Sequence, residues 1–382
     1  MIDWKPKARG LADALVQQGK LTSPEWRAAV EGTPRHEFVP AYYVHEGGGW
    51  QLAETSTPAG REAWLSLVYS NAVLITALSE GDAGQVVRSS SSQPGLMTRM
   101  LEALDVHDGQ RVLEIGTGTG YNAALLSHRL GDDRVFSVDV DDDLVEAARS
   151  RLAAIGYQPT LVTVDGAGGL PEHAPFDRII ATCSVPAVPW AWVEQTRPGG
   201  LILTDVKPAV NAGSLALLRR TDEGAEGRFD RTYAAFMGLR KQGEAYTSVS
   251  RPRDRSDAAE RKTTISPETL QNLVVWFLVA LEIGAGVSCG YTGSDPVRAP
   301  TAAWIATADR SWAEIDLEPD GGAYRVREGG PRPLWKTVEN AYTTWVQRER
   351  PGWERFGLTV TPTEQYVWLD EPHGTHRWPI HT

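Results

Sequence analysis

Residues 111–121 read Arg-Val-Leu-Glu-Ile-Gly-Thr-Gly-Thr-Gly-Tyr. Val112, Leu113 and Ile115 make a buried strand, and Gly116, Gly118 and Gly120 make a tight turn. Residues 122–130 then carry apolar side chains at helical spacing. Strand, glycine turn and helix open a nucleotide-binding βαβ unit. Glycine is required because the backbone must turn sharply and let a ligand approach with no Cβ in the way.

The chain beyond this unit repeats its pattern. Residues 134–139 form a second strand ending in Asp139, about 20 residues past the turn, where a βαβ unit places a carboxylate for ribose hydroxyls. A helix over 144–154 follows, then a third strand over 161–166 ending in Asp165-Gly166, and a fourth over 176–182. Residues 189–196 are helical, and Pro198-Gly199-Gly200 turns into 201–204. Residues 214–219 and 231–236 flank a polar turn and are expected to form a hairpin that closes the sheet. Upstream, 8–32 is helical, with Leu11, Leu15 and Val16 in one stripe and Ser23-Pro24-Glu25 as a cap. Residues 64–71, an apolar run over 72–78 and the serines 89–92 precede Gln93-Pro94 and a helix over 96–104. Residues 1–80 are thus a helical and loop region, which the resemblance given below makes the substrate-loop region, and 81–240 the nucleotide-binding domain.

The length of 382 residues fits two domains, or one with additions. A net charge of −11 with no basic stretch argues against nucleic acid as a partner. Two cysteines give no disulfide framework and fit a reducing cytoplasm, and the first residues lack the apolar core of a signal peptide. The most apolar run, 273–287, holds Glu282 and two glycines and is too short to cross a bilayer, so no membrane role is expected. Residues 241–264, centred on Arg251-Pro252-Arg253-Asp254-Arg255, read as a charged linker or loop. Residues 265–382 read as α+β: a capped helix from Ser266, strands near 302–307, 312–317 and 324–326, a helix at about 334–349 and a strand at about 357–369. Eight of the 14 tryptophans lie in this last third. They make either a Trp-rich core or an aromatic surface for a peptide.

Two ligands compete for the glycine turn. A dinucleotide needs Gly-x-Gly-x-x-Gly, but here the spacing is Gly116-x-Gly118-x-Gly120, and Tyr121 stands where the third glycine would be. S-adenosylmethionine has no pyrophosphate and needs an acid near its ammonium or ribose. Glu114, Asp139 and Asp165-Gly166 suit it, at the carboxyl ends of successive strands where such sheets bind ligands. Cys183 follows a strand end and reads as a small buried residue. His373, His376 and His381 sit together near residue 382 with no fourth ligand, so no metal is expected.

Several stretches together resemble the protein-L-isoaspartate O-methyltransferases over roughly 30–240. They are Arg35-x-x-Phe38-Val39-Pro40, Tyr69-Ser70-Asn71, Ser92-Gln93-Pro94 with Met100-Leu101-Glu102, the 112–121 motif, Asp165-Gly166, 175–180 and Pro198-Gly199-Gly200. The resemblance implies an α/β fold: a Rossmann-like S-adenosylmethionine-dependent methyltransferase sheet with helices on both faces, here with a C-terminal α+β domain. It implies a cofactor site of Glu114, Gly116, Thr117, Gly118, Gly120, Tyr121, Asp139, Val140, Asp165 and Gly166. It further implies that Ser92 acts in catalysis and that Tyr69, Ser70, Asn71, Ser91, Ser92, Gln93, Pro94 and Val206 hold the substrate carboxylate. The family esterifies an aspartyl or isoaspartyl carboxylate in a peptide, and the ester collapses to a succinimide. A carboxylate is ionised at neutral pH and needs no general base, so the lack of a His-Asp or Cys-His pair is expected.

Gly95-Leu96-Met97 stands where repair members carry histidine or a similar polar residue. Thr204-Asp205-Val206-Lys207 replaces their usual Pro-Val-Gly, and 241–382 has no counterpart in the compact repair enzymes. Long relatives with such an extension resemble actinobacterial methyltransferases encoded beside ribosomal modified peptides (lanthipeptide, lasso peptide, graspetide). The first expectation is therefore esterification of an aspartate in a constrained precursor peptide, giving an aspartimide and then isoaspartate. Repair of isoaspartyl damage in proteins is the alternative, and a non-catalytic S-adenosylmethionine-binding protein the other class.

Overall fold

Strands buried on both faces read as continuous apolar runs, and the centre of the sheet is built from them. The computed structural model describes residues 2–380 apart from 82–83, 242–257, 285, 296 and 298. The N-terminal part comprises α1 (Lys5–Gln17), α2 (Pro24–Gly32), α3 (Arg35–Phe38), β1 (Tyr43–Glu46), β2 (Gly49–Leu52), α4 (Pro58–Val68), β3 (Leu74–Gly81), β4 (Gly84–Ser91) and α5 (Pro94–Ala103). The central part comprises β5 (Val112–Ile115), α6 (Tyr121–Leu130), β6 (Val135–Asp139), α7 (Asp142–Ala154), β7 (Thr160–Thr163), β8 (Phe176–Val185), α8 (Trp190–Gln195), β9 (Thr196–Ala209), β10 (Ala212–Arg220) and β11 (Ala225–Phe229). Then come β12 (Ala259–Thr263), α9 (Leu273–Ile283), β13 (Ser288–Asp295), β14 (Ala299–Ala306), β15 (Trp312–Asp316), β16 (Tyr324–Gly329), α10 (Leu334–Gln347), β17 (Phe356–Val360), β18 (Gln365–Leu369) and β19 (Arg377–Pro379).

The main sheet has ten strands in the order β19-β18-β17-β11-β10-β9-β8-β5-β6-β7. Strands β7, β6, β5, β8 and β9 run parallel, and the rest pair antiparallel. The order reverses between β5 and β8, so their carboxyl ends diverge and leave a crevice for a ligand. Alternation along β5 sends Val112 into one core and Leu113 and Ile115 into the other. The first core lies under the N-terminal helices with α5, α6 and α7, and the second under α8, α9 and the C-terminal strands. Side-chain caps start the helices where the sequence puts them: Ser23 accepts from Trp26 N, Asp141 from Leu144 N, and Asn272 from Val274 N and Val275 N.

Three sequence expectations change. The partner of β10 is 225–229, not 231–236, because Thr221 and Gly224 close the tight turn through Thr221 N to Gly224 O at 2.8 Å. That hairpin does not close the sheet, since β11 continues into β17, β18 and β19. The C-terminal α+β domain expected over 265–382 is therefore divided: 356–379 belongs to the main sheet, while β12-β16-β15-β14-β13 form a separate five-stranded antiparallel sheet. The linker boundary moves too, because 259–263 is a strand of that sheet; Arg251 to Arg255 lie outside the described residues.

Helix α9 joins the parts. Phe277 meets Phe229, Trp353 and Phe356 at ring distances of 5.3, 5.3 and 6.0 Å, and Trp276 Nε1 donates to Val210 O. Trp276, Trp312, Trp335, Trp353 and Trp368 are buried, so most of the late tryptophans serve packing. Among the described residues no helix is long and apolar enough to cross a membrane.

Candidate active site at the strand ends

The glycine turn is held from both neighbours. Gly116 N and Thr117 N donate to Val138 O at the end of β6, and Thr182 Oγ1 of β8 donates to Gly116 O at 2.7 Å. Gly116 has φ +98° and a Cβ there would lie 2.7 Å from Thr182 Oγ1, so only glycine fits. Gly118 has φ +51°, and the nearest atoms to its Cβ position are Ser89 Oγ at 3.8 Å and Ser90 O at 3.9 Å. The serine strand β4 thus lies across the turn. Gly120 begins α6 with φ +88°.

Asp139 stands at the end of β6 with its carboxylate aimed back at the turn. Its oxygens accept from Gly118 N at 3.0 Å and Asp141 N at 3.2 Å. Burial raises its pKa, against the pull of those two amides. Val140 follows it, partly buried. Asp165 is exposed beyond β7 and accepts from Ala167 N, and Gly166 is fixed by Trp192 Nε1 donating to its carbonyl at 2.8 Å. These positions lie at or just beyond the carboxyl ends of β6 and β7, and Thr117 is buried in the turn with its Oγ1 bonded to Ser137 Oγ at 2.7 Å. The glycine turn and the two strand-end acids fit an adenosyl ligand with ribose hydroxyls.

Two expected cofactor residues sit elsewhere. Glu114 is fully buried beneath the turn, where Asn122 Nδ2 donates to one oxygen and Ser137 Oγ to the other. It braces β5 against α6 and β6. Tyr121 points away into the N-terminal core, 5.7 Å from the Phe38 ring. Burial pushes Glu114 up to about 7, with Ser137 and Asn122 opposing the rise. Its unfolded value is near 4.5, so between those pH values the folded state holds the proton that the unfolded state has lost, and stability falls as pH rises through this window. Glu114→Gln stays neutral and can still pair with Asn122 and Ser137. It should gain on the wild type between pH 5 and pH 8, by on the order of 3 kcal/mol, read as a melting temperature difference that widens with pH. A constant difference across that range would contradict the assignment.

The substrate-side residues form one corner, but most of their side chains are spent holding it. Tyr69 Oη bonds His36 Nδ1 at 2.7 Å, and Ser70 Oγ donates to Leu67 O. Asn71 accepts from Gly95 N at 2.7 Å and donates to Gln18 Oε1, while Gln93 Nε2 donates to Asn71 O. Pro94 is buried in the first turn of α5. Ser91 is buried and its Oγ accepts from Arg35. Val206 is wholly buried in β9, because its pleat position faces the core rather than the crevice. Among these side chains the hydroxyl of Ser92 has no protein hydrogen bond.

Three arginines escaped the sequence reading of the site. Arg35 belongs to a matching stretch, yet nothing there marks its guanidinium as the hub of the substrate corner. Arg88 pairs bidentately with Asp141 and reaches Asp143, pinning β4 over α7. Arg240 lies 3.7 Å from Asp139 and 3.5 Å from Asp141. Cys183 is buried with its thiol pKa raised by burial, as a packing residue requires. His373 bonds Arg377, His376 stacks on Trp378, and His381 lies outside the described residues. Among the described residues no three His, Cys, Asp or Glu are grouped to hold a metal.

A family model described as Protein-L-isoaspartate(D-aspartate) O-methyltransferase (PCMT) matches residues 7–242. The chain is 42% identical over 228 residues to the protein-L-isoaspartate O-methyltransferase of Methylorubrum populi, covering 60% of this chain and 88% of that one. It is 31% identical over 220 residues to the enzyme of that name from Ignicoccus hospitalis, covering 57% and 90%. A solved protein-L-isoaspartate O-methyltransferase shares the fold at a TM-score of 0.55 and 24% identity, covering 95% of this chain and 100% of that one.

Proposed function

The chain belongs to the protein-L-isoaspartate(D-aspartate) O-methyltransferase family of S-adenosylmethionine-dependent methyltransferases, and on that premise we propose that it methylates the free carboxylate of isoaspartyl residues in peptide chains. One observation carries the reading: the serine strand β4, which leads into Ser92, crosses the glycine turn, with Ser89 Oγ 3.8 Å and Ser90 O 3.9 Å from the Cβ position of Gly118. Ser92 follows that strand directly, and on this reading its free hydroxyl orients the substrate carboxylate toward the methyl donor.

S-adenosylmethionine, when bound, supplies a methyl group on a positively charged sulfur. Gly116, Gly118, Asp139, Asp165 and Gly166 would hold it. The carboxylate oxygen forms the new bond to the methyl carbon, and no proton has to move. Ser92 holds the other carboxylate oxygen, and β4 with α5 excludes water from the nucleophile. Ser92→Ala should lower kcat/KM for an isoaspartyl peptide by roughly 10- to 100-fold with the cofactor dissociation constant unchanged by calorimetry. Equal rates for the two proteins would remove Ser92 from this role.

Isoaspartyl methylation comes first because the family model over 7–242 and the relatives bear the name protein-L-isoaspartate O-methyltransferase. The expectation of one dedicated precursor peptide drew on 241–382 as an added domain. A solved protein-L-isoaspartate O-methyltransferase of like fold aligns with 95% of the chain, so 241–382 is not without a structural counterpart. A single feature still favours the dedicated peptide. Within β9 a buried Asp205–Lys207 pair at 2.7 Å stands where the repair members' usual Pro-Val-Gly would be. One assay separates the two. Equal amounts of a linear isoaspartyl peptide and a cyclised aspartyl peptide are incubated with S-adenosylmethionine, and methyl ester and succinimide are followed by mass. Turnover confined to the cyclised peptide would reverse the order, and turnover of neither would remove carboxyl methylation.

A further inference from the structure

Arg35 is 0% exposed, yet no acidic group meets its guanidinium. Nη1 donates to Val68 O at 2.6 Å and Ser70 O at 3.2 Å. Nη2 donates to Ala72 O, Ser91 Oγ and Ser92 O, each at 3.2 Å. Nε is buried without a hydrogen-bond partner. The Tyr121 ring packs against it, 5.7 Å from the guanidinium carbon. Every acceptor is a neutral oxygen, and all lie on the two segments, 68–72 and 91–92, that frame the substrate corner. Burial pulls the guanidinium down to about 10, so it remains charged at neutral pH.

A buried charge is normally paired, because leaving water is unfavourable without an opposite charge. Arg35 instead spends its planar fork on loop carbonyls and leaves its charge unneutralised. Ser92, whose carbonyl it holds, is the one residue of the corner with a free hydroxyl. We infer that Arg35 is the positioning residue of the acceptor site: it locks 68–72 to 91–92 and supplies the uncompensated positive charge that makes this corner select an ionised carboxylate over a neutral group. The inference rests on the carboxyl-methylating reading above and adds the source of its selectivity. The cofactor turn gives the guanidinium no hydrogen-bond acceptor and meets it only through the Tyr121 ring.

The test compares an isoaspartyl peptide with the same peptide carrying the neutral carboxamide, using dissociation constants measured by calorimetry with S-adenosylhomocysteine bound. The wild type should prefer the carboxylate at least 20-fold. Arg35→Gln should lose at least tenfold of that preference. Arg35→Lys keeps the charge and loses the fork, so both peptides should weaken at least fivefold together while their ratio stays within threefold of wild type. S-adenosylhomocysteine affinity should stay within threefold in both variants. A residue with only a structural role would weaken both peptides equally in Arg35→Gln. That result, or a wild type without preference, overturns the inference. Where Arg35→Gln does not fold, Arg35→Lys decides: a collapsed ratio overturns the charge, and unchanged affinities overturn the positioning. A wild type that methylates no carboxylate peptide at all would instead remove the functional reading on which the inference stands.

Discussion

Replacing Gly116 with valine is expected to abolish cofactor binding and methyl transfer, with loss of at least 1,000-fold in kcat/KM, on the order of 4 kcal/mol. Two independent obstacles arise. The backbone there has φ +98°, a conformation that a β-branched residue scarcely adopts. The new Cβ would also lie 2.7 Å from Thr182 Oγ1, the atom whose hydrogen bond to Gly116 O fastens β8 to the turn. The two can be separated. Thr182→Ala removes the clashing atom, so Gly116→Ala with Thr182→Ala should recover part of the folding stability and little of the cofactor affinity. The turn would still be pushed out of the shape that aims Gly118 N at Asp139. Calorimetry with S-adenosylhomocysteine reads the affinity, and near-ultraviolet circular dichroism checks that the variant is folded. A folded Gly116→Val that binds with wild-type affinity would dislodge the cofactor site from this turn.

The turn was legible because glycine leaves a signal wherever backbone geometry demands it. The acids around it were legible only as residue types. Glu114 and Asp139 look alike in sequence, both acids at or near the end of a short apolar strand. Their roles divide because Glu114 is flanked by Asn122 and Ser137, whose approach depends on how α6 and β6 pack. Tyr121 closes the glycine run in sequence but begins α6, and the helix turns its ring toward Phe38. The substrate corner was legible as a set of segments, 69–71 and 91–94, though not as a set of contacts. Arg35 joins them across 33 to 57 residues of chain, a distance over which no periodicity speaks. The hairpin partner is 225–229 although 231–236 has stronger β character, because the short turn at 221–224 outweighs that preference. Strands β17 to β19 were invisible as part of the main sheet, because β11 meets β17 through pairing such as Glu226 with Thr359. Local sequence carries no record of such a pairing.

That long-range pairing has the second large consequence. A chain ending at residue 240 is expected to be insoluble or unfolded, although the curated relatives align over only 220 to 228 residues. Read as a separate domain, 241–382 should be removable with loss of peptide recognition alone. The packing argues otherwise. Truncation removes β17 and leaves β11 as an open edge with unpaired backbone groups. It also removes α9, whose residues from Val274 to Leu281 are all buried. Uncovering such side chains is unfavourable by about 1.5 to 3 kcal/mol each. Even a few of them rival the 5 to 15 kcal/mol that separates a typical folded domain from its unfolded chain. The face left bare would include Phe229, which packs against Phe277 at 5.3 Å. The measurement is soluble yield and a thermal melt of the truncated chain, beside a milder deletion of 259–347 joined by a flexible linker. The milder deletion keeps β17 to β19 but still lacks α9, so it too should aggregate, whereas restoring 266–283 should rescue folding. A soluble 1–240 chain that melts cooperatively near the wild-type temperature would return the C-terminal region to the status of an attached domain. Loss of folding in all but the α9-containing construction would make this region part of the sheet that positions the active site.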